Sequence, residues 1–100
     1  MTSFVLTPQA GRDLEGIWEY IAEDSIERAD RVADEIEAAL RLIADNPRIG
    51  HIREDFADDR HRFWPVLSYL IMYRHGTRPL QILRIVSGYR DLIALLNPPT

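Results

Sequence analysis

The spacing of apolar residues changes once along this chain, and that change decides what it can fold into. In the first half, apolar side chains recur with helical spacing. In the second half, they gather in short runs suited to strands. Ala10, Leu14, Ile17, Trp18 and Ile21 fall on one helical face. Thr7-Pro8 opens this helix, because threonine caps an N-terminus and proline fits the first helical position. Gly11 and Gly16 weaken it, each by about 1 kcal/mol relative to alanine. Asp24-Ser25-Ile26-Glu27 breaks the run and begins a second helix, with Asp24 and Glu27 in the arrangement of a capping box. Its apolar stripe is Ala29, Val32, Ala33, Ile36, Leu40 and Ile43. The opposite face carries Glu27, Arg31, Asp34, Glu35, Glu37 and Arg41 and reads as solvated. Asn46-Pro47 ends the helix, and Gly50 follows in the loop. Two amphipathic helices on so short a connection predict an antiparallel hairpin.

Strand patterns flank this hairpin. Phe4-Val5-Leu6 reads as a short strand before it. Residues 47–60 read as irregular and charged, with Asp58-Asp59 near their end. Arg62 to Val66, Tyr69 to Arg74 and Leu80 to Val86 are rich in β-formers, and His75-Gly76-Thr77-Arg78 joins the last two as a hairpin loop. The nearly continuous apolar run Leu80 to Val86 suits a central strand. Pro65, which has no N–H to donate, suits an edge strand or a bulge. Leu92 to Leu96 reads as a short terminal helix stopped by Asn97-Pro98-Pro99-Thr100. The predicted order is β-α-α-β-β-β. This is an α+β fold with a helical hairpin packed on one face of a small, mainly antiparallel sheet. No internal repeat or linker interrupts the 100 residues, so residues 1–100 read as a single domain.

Composition narrows the function classes. Apolar residues make up 46% of the chain, enough for one core, and there is no cysteine, which excludes disulfides and thiolate metal sites. No apolar run approaches the roughly 18 residues of a membrane span, and the N-terminus lacks a signal-peptide layout, so no membrane association is expected and a cytoplasmic location is. Residues 1–46 hold four arginines against eleven acids, a balance of −7. Residues 47–100 hold eight against five, a balance of +3, and the two give the net −4. Every basic residue apart from histidine is arginine. The plain explanation of the missing lysine is a GC-rich genome. The basic second half still suits an acidic partner, either a protein segment or nucleic acid.

Four segments carry a family resemblance. "FVLTPQAGRDLEGIWEYIAED" is similar to the opening of ParE-like toxins, with the Asp13-Leu14 pair and the aromatics Trp18 and Tyr20. "IADNPRIG" resembles the helix-ending Asn-Pro-x-x-Gly turn, here Asn46, Pro47 and Gly50. "HRFWPVLSYLIMYR" resembles the strand pair bearing Tyr69 and Tyr73. "LRIVSGYRDLIALL" resembles a closing signature carried by Arg84, Ile85, Gly88, Arg90 and Asp91. In order and spacing, these segments place the chain near the RelE/ParE toxin superfamily, on the ParE side. The resemblance implies a growth-arresting toxin of a type II toxin–antitoxin system, held in a hetero-oligomeric complex by a ParD-like antitoxin. DNA gyrase is then the implied target, and operator DNA is reached only through the antitoxin.

RelE-like relatives instead cleave ribosome-bound mRNA, which makes an mRNA endoribonuclease the alternative. That chemistry needs proton transfer at the ribose 2′-hydroxyl and cations around the phosphorane. By the resemblance, the strand arginine of those enzymes falls at Pro65 and their C-terminal tyrosine at about Leu96. Their lysines have no counterpart, and only Arg90 remains. His51, His61 and Arg62 are a different possible set. The expected protein is therefore not an enzyme and takes no cofactor. No metal site is expected either, since His51, His61 and His75 lack metal-ligand spacing. The candidates for contact with antitoxin or target are Arg62, Trp64, Tyr69, Tyr73, Arg84 and Arg90, because arginines and large aromatics dominate binding hot spots. Arg84, inside the most apolar strand, also reads as a half-buried arginine paired with an acid. Arg90 reads equally as a partner of Asp91. Trp18, on the helical apolar face, reads as core.

Overall fold

A computed structural model of the chain describes residues 4–52 and 60–88. The elements are β1 (Phe4–Leu6), α1 (Pro8–Ala22), α2 (Ile26–Asp45), β2 (His61–Val66), β3 (Tyr69–Arg74) and β4 (Leu80–Val86), which is the order read from the sequence. The sheet has four strands in the order β1-β4-β3-β2. β2 with β3 and β3 with β4 are antiparallel, while β1 joins the far side of β4 in parallel, with Leu6 opposite Ile82. The apolar run of β4 is thus central, and β2, with Pro65 exposed opposite Leu70, lies at an edge. The predicted terminal helix and Arg90 lie outside the described residues.

Both helices are started by side-chain caps. The Thr7 hydroxyl accepts the Ala10 N–H at 3.2 Å, with Pro8 in the first turn. At α2 the cap is Ser25, whose hydroxyl accepts the Arg28 N–H at 3.1 Å, rather than Asp24. Ser25 has the extended backbone that a cap requires, and Asp24 sits one residue back in the turn. The third helical position is then Arg28, so no reciprocal carboxylate forms a box. Glu27 instead places its charge in the first turn, where the helix dipole favours an acid.

The helices cover one face of the sheet. Ala10 of α1 and Ile36, Ala39, Leu40, Ile43 and Ala44 of α2 pack against Ile71 and Tyr73 of β3 and Leu80, Ile82 and Ile85 of β4. By the two-residue alternation of a strand, Leu70 and Met72 point the other way. They join Phe63, Leu83 and Val86 in a second, smaller cluster. Glu27, Arg31, Asp34, Glu35, Glu37 and Arg41 lie on the outer side of α2 and are all exposed, as their pattern predicted. Trp18 is half-buried rather than central: its indole N–H donates to Asp30 Oδ1 at 2.8 Å, tying α1 to α2.

A bulge sets the edge of β4. Met72 lies opposite Arg84 and Tyr73 opposite Ile82, which leaves Leu83 as an extra residue. β1 has already ended at this point, and the start of α1 takes its place. The Thr7 N–H donates to the Ile82 carbonyl at 3.0 Å, and the Thr7 hydroxyl donates to the Leu83 carbonyl at 2.9 Å. Thr7 therefore caps a helix and closes a sheet edge with one side chain. Thr7→Ala is expected to lower stability by about 1–2 kcal/mol, and Thr7→Ser to keep most of it. The shift in denaturant midpoint at unchanged slope measures both.

Candidate functional site

Arg84 emerges from β4 just past the bulge and meets Asp13 of α1. Its Nε donates to Asp13 Oδ2 at 2.8 Å and its Nη2 to Oδ1 at 3.0 Å, a two-point fork. The same Oδ2 accepts the Ile85 N–H at 2.9 Å. A strand longer than β1 would have supplied that acceptor, so Asp13 stands in for a missing ladder partner. Hydrogen bonding to Asp13 holds the Arg84 guanidinium above its usual pKa, against a smaller opposing effect of burial. Arg84 is thus committed within the fold.

Tyr73 is committed too. Its ring is fully buried, its hydroxyl donates to the Pro47 carbonyl at 2.7 Å, and the Gly50 N–H donates to that hydroxyl at 2.8 Å. A β-carbon on Gly50 would lie 2.7 Å from ring carbons of Tyr73, so this close approach requires glycine. Arg62 holds the same loop from β2, with Nη1 donating to the Gly50 carbonyl at 3.0 Å and the Arg48 carbonyl at 3.2 Å. Its Nε is buried with no hydrogen-bond partner among the described residues. Burial raises the Tyr73 pKa, and the Gly50 N–H and the Arg62 charge oppose that rise.

The groups that reach the surface in part lie along β2 and its ends, and Trp64 and Tyr69 among them also pack against the helix-side core. Trp64 is half-buried and stacks on His51, with ring centroids 6.1 Å apart and planes 12° from parallel. His51 is held there by two backbone bonds to Phe63, N–H to O at 2.7 Å and O to N–H at 2.9 Å, on the outer edge of β2. Tyr69 is half-buried opposite Val66 at the other end of the strand pair. Between β2 and β3, Leu67 is 56% exposed and borders a shallow groove of about 180 Å³ with Arg28, Arg31, Val32 and Glu35 of α2. The structure therefore brings Arg62, Trp64 and Tyr69 to the β2 end of the sheet, together with His51 and Leu67. The sequence pattern does not place these last two there, and only the strand register could have done so.

Pro65 offers no donor, the His51 ring lies against Trp64, and Nη1 of Arg62 is spent on two carbonyls. Among the described residues, no cluster of three or more His, Cys, Asp or Glu side chains is gathered to hold a metal ion. Nor is any described helix long and apolar enough to cross a membrane. Fold and surface together define a small α+β domain with an aromatic and cationic edge suited to contact with another macromolecule.

The family model of the ParE toxin of the type II toxin–antitoxin system parDE matches residues 4–92, and the chain belongs to that family. Among solved structures, the chain is similar to one from the chromosomal ParDE system of P. aeruginosa. That likeness has 22% identity and a TM-score of 0.72, and it covers 89% of this chain and 98% of the other. No curated protein matches the chain.

The committed residues should reveal themselves in stability. Asp13→Ala strands both the Arg84 fork and the Ile85 N–H, and is expected to cost about 2–4 kcal/mol. Asp13→Ala with Arg84→Met should recover part of that cost but not all, since the Ile85 N–H stays unpaired; chemical denaturation of both variants checks this. Tyr73 contributes to the alkaline limit. The folded protein holds the Tyr73 proton more tightly than the unfolded chain does. Its contribution is therefore complete below about pH 10 and is lost as pH rises through the higher folded pKa. Tyr73→Phe should lower stability at neutral pH by about 1–3 kcal/mol and flatten the alkaline decline, as read by denaturant midpoints between about pH 8 and 11.

Proposed function

We propose that this chain is the toxin of a type II toxin–antitoxin pair, that a ParD-like antitoxin neutralises it in a hetero-oligomeric complex, and that it arrests growth by inhibiting DNA gyrase. The match of the ParE family model to residues 4–92 carries this reading. The surface supports it. Trp64 lies on an edge strand and Tyr69 just past its turn, where a partner chain finds aromatic anchors. An antitoxin tail that folds on contact fits such an edge. The toxin acts in the cytoplasm, where gyrase and DNA are found, and meets operator DNA through its antitoxin.

It works by binding rather than by catalysis. The lysines of ribosome-dependent ribonucleases are absent from the whole sequence, and Pro65 stands where their strand arginine would be. A proline at that position can neither move a proton nor hold a phosphorane.

Expression of the chain alone is expected to halt growth with filamentation, and co-expression of its antitoxin to restore growth. Purified toxin should block supercoiling by gyrase while message in a translating extract stays intact. Harmless expression, or cleavage within codons, would overturn the reading. Trp64→Ala is expected to lower stability through lost core packing and to weaken antitoxin binding by at least about tenfold under conditions where circular dichroism shows the variant folded, measured by calorimetric titration.

A further inference from the structure

A group of cations gathers at one end of the sheet, away from the bonds that hold the fold together. A cleft of about 900 Å³ opens there between the loop that follows α2 and the turn joining β3 to β4, lined among others by Arg48, His75, Thr77 and Arg78. Arg48 and Arg78 are exposed, and among the described residues neither guanidinium has an ion-pair partner. Asp45 is the one acid among the described lining residues. Arg62 supports the wall from behind through the Arg48 and Gly50 carbonyls.

We propose that this cleft binds the phosphate backbone of nucleic acid directly and without regard to sequence. Three features favour phosphates over an acidic peptide. The described lining contains no aromatic side chain apart from the His75 imidazole; of its apolar members Ala44 and Leu80 are buried, Pro47 and Ile49 half-buried, and only Pro79 is exposed, so a peptide would find few large exposed anchors there. The charge donors are arginines, whose planar fork matches phosphate oxygens. His75 adds a ring N–H donor to the same wall. The acids of α2, including Glu27, Glu35 and Glu37, lie on the outer side of that helix. At physiological salt, charges farther away than about 8 Å from a bound phosphate are largely screened, so the net charge of −4 does not forbid local binding. This contact is separate from operator recognition through an antitoxin, and it stands or falls independently of the target proposed above.

Fluorescence anisotropy of a labelled mixed-sequence duplex, titrated with the purified full chain between about 50 and 200 mM salt, tests the proposal. Binding is expected at the low end of that range. Arg48→Gln with Arg78→Gln is expected to weaken it at least about tenfold. The slope of log affinity against log salt should fall by about 1.8, which is about 0.9 for each phosphate no longer neutralised. Arg31→Gln with Arg41→Gln makes the same change in net charge on the outer face of α2 and should leave binding within about twofold. Circular dichroism confirms that both double variants are folded. The proposal is overturned by no binding at low salt, by equal loss in the two double variants, or by a glutamate-rich peptide that competes as well as unlabelled duplex.

Discussion

The first strand of the sheet is too short for the strand it must cover, and much of the molecule is arranged around that mismatch. β1 pairs with β4 only as far as Ile82, while β4 runs on to Val86. A buried strand edge with unpaired backbone groups is costly, so the uncovered stretch needs partners from elsewhere. The start of α1 and its cap supply them in sequence. The Thr7 backbone takes the Ile82 carbonyl, the Thr7 hydroxyl takes the Leu83 carbonyl, and the Asp13 carboxylate takes the Ile85 N–H. The helix is therefore bonded to the sheet edge as well as packed on its face. Arg84 neutralises the carboxylate that accepts the strand N–H, which explains a charged residue within a largely apolar strand.

A second set of bonds fixes the other side of the sheet. The segment after α2 returns toward β2 and is held by Tyr73 from below and Arg62 from the edge. Gly50 allows the tyrosine hydroxyl to come close enough to bond the backbone. Fixing that segment has two surface consequences. It places His51 against Phe63 and so stacks its ring on Trp64, and it positions Arg48 at the rim of the cleft opposite the β3–β4 turn. Residues that look like binding groups by type thus divide into those that build the frame and those the frame presents.

That division cannot be read from residue types alone. Element order was legible because each half has one clear apolar period, and the caps and stops at Thr7-Pro8 and Asn46-Pro47 are local chemistry. The α2 cap is displaced by one residue because Asp24 and Ser25 are both good caps, and backbone geometry chooses between them. Pairing was less legible. Nothing in Phe4-Val5-Leu6 says that it lies parallel to β4, since three residues carry no register of their own. The two-residue turn at Leu67-Ser68 holds Leu67 at a φ of 54°, which its side chain disfavours, so no turn signature marks it. An acid partner for Arg84 was foreseeable from its apolar surroundings, but its identity as Asp13, 71 positions away, belongs to the tertiary fold. Tyr73 shows the limit of reading hot spots by residue type, because an aromatic on a strand is core or contact according to the face it takes.

The uneven charge of the sequence also acquires a spatial meaning. The acidic first half exposes carboxylates on the outer face of α2, where they repel polyanions and keep the chain dispersed. The arginines described here from the second half meet different fates. Arg84 is consumed inside, Arg62 braces a loop, and Arg48 and Arg78 stand exposed around the cleft. A molecule with net negative charge can therefore offer a cationic surface, provided that surface is small and set apart from the acidic helix face. The β2 edge and the cleft both draw on the segment fixed by Tyr73 and Arg62. The buried hydroxyl of Tyr73 thus supports two surfaces that it does not itself reach.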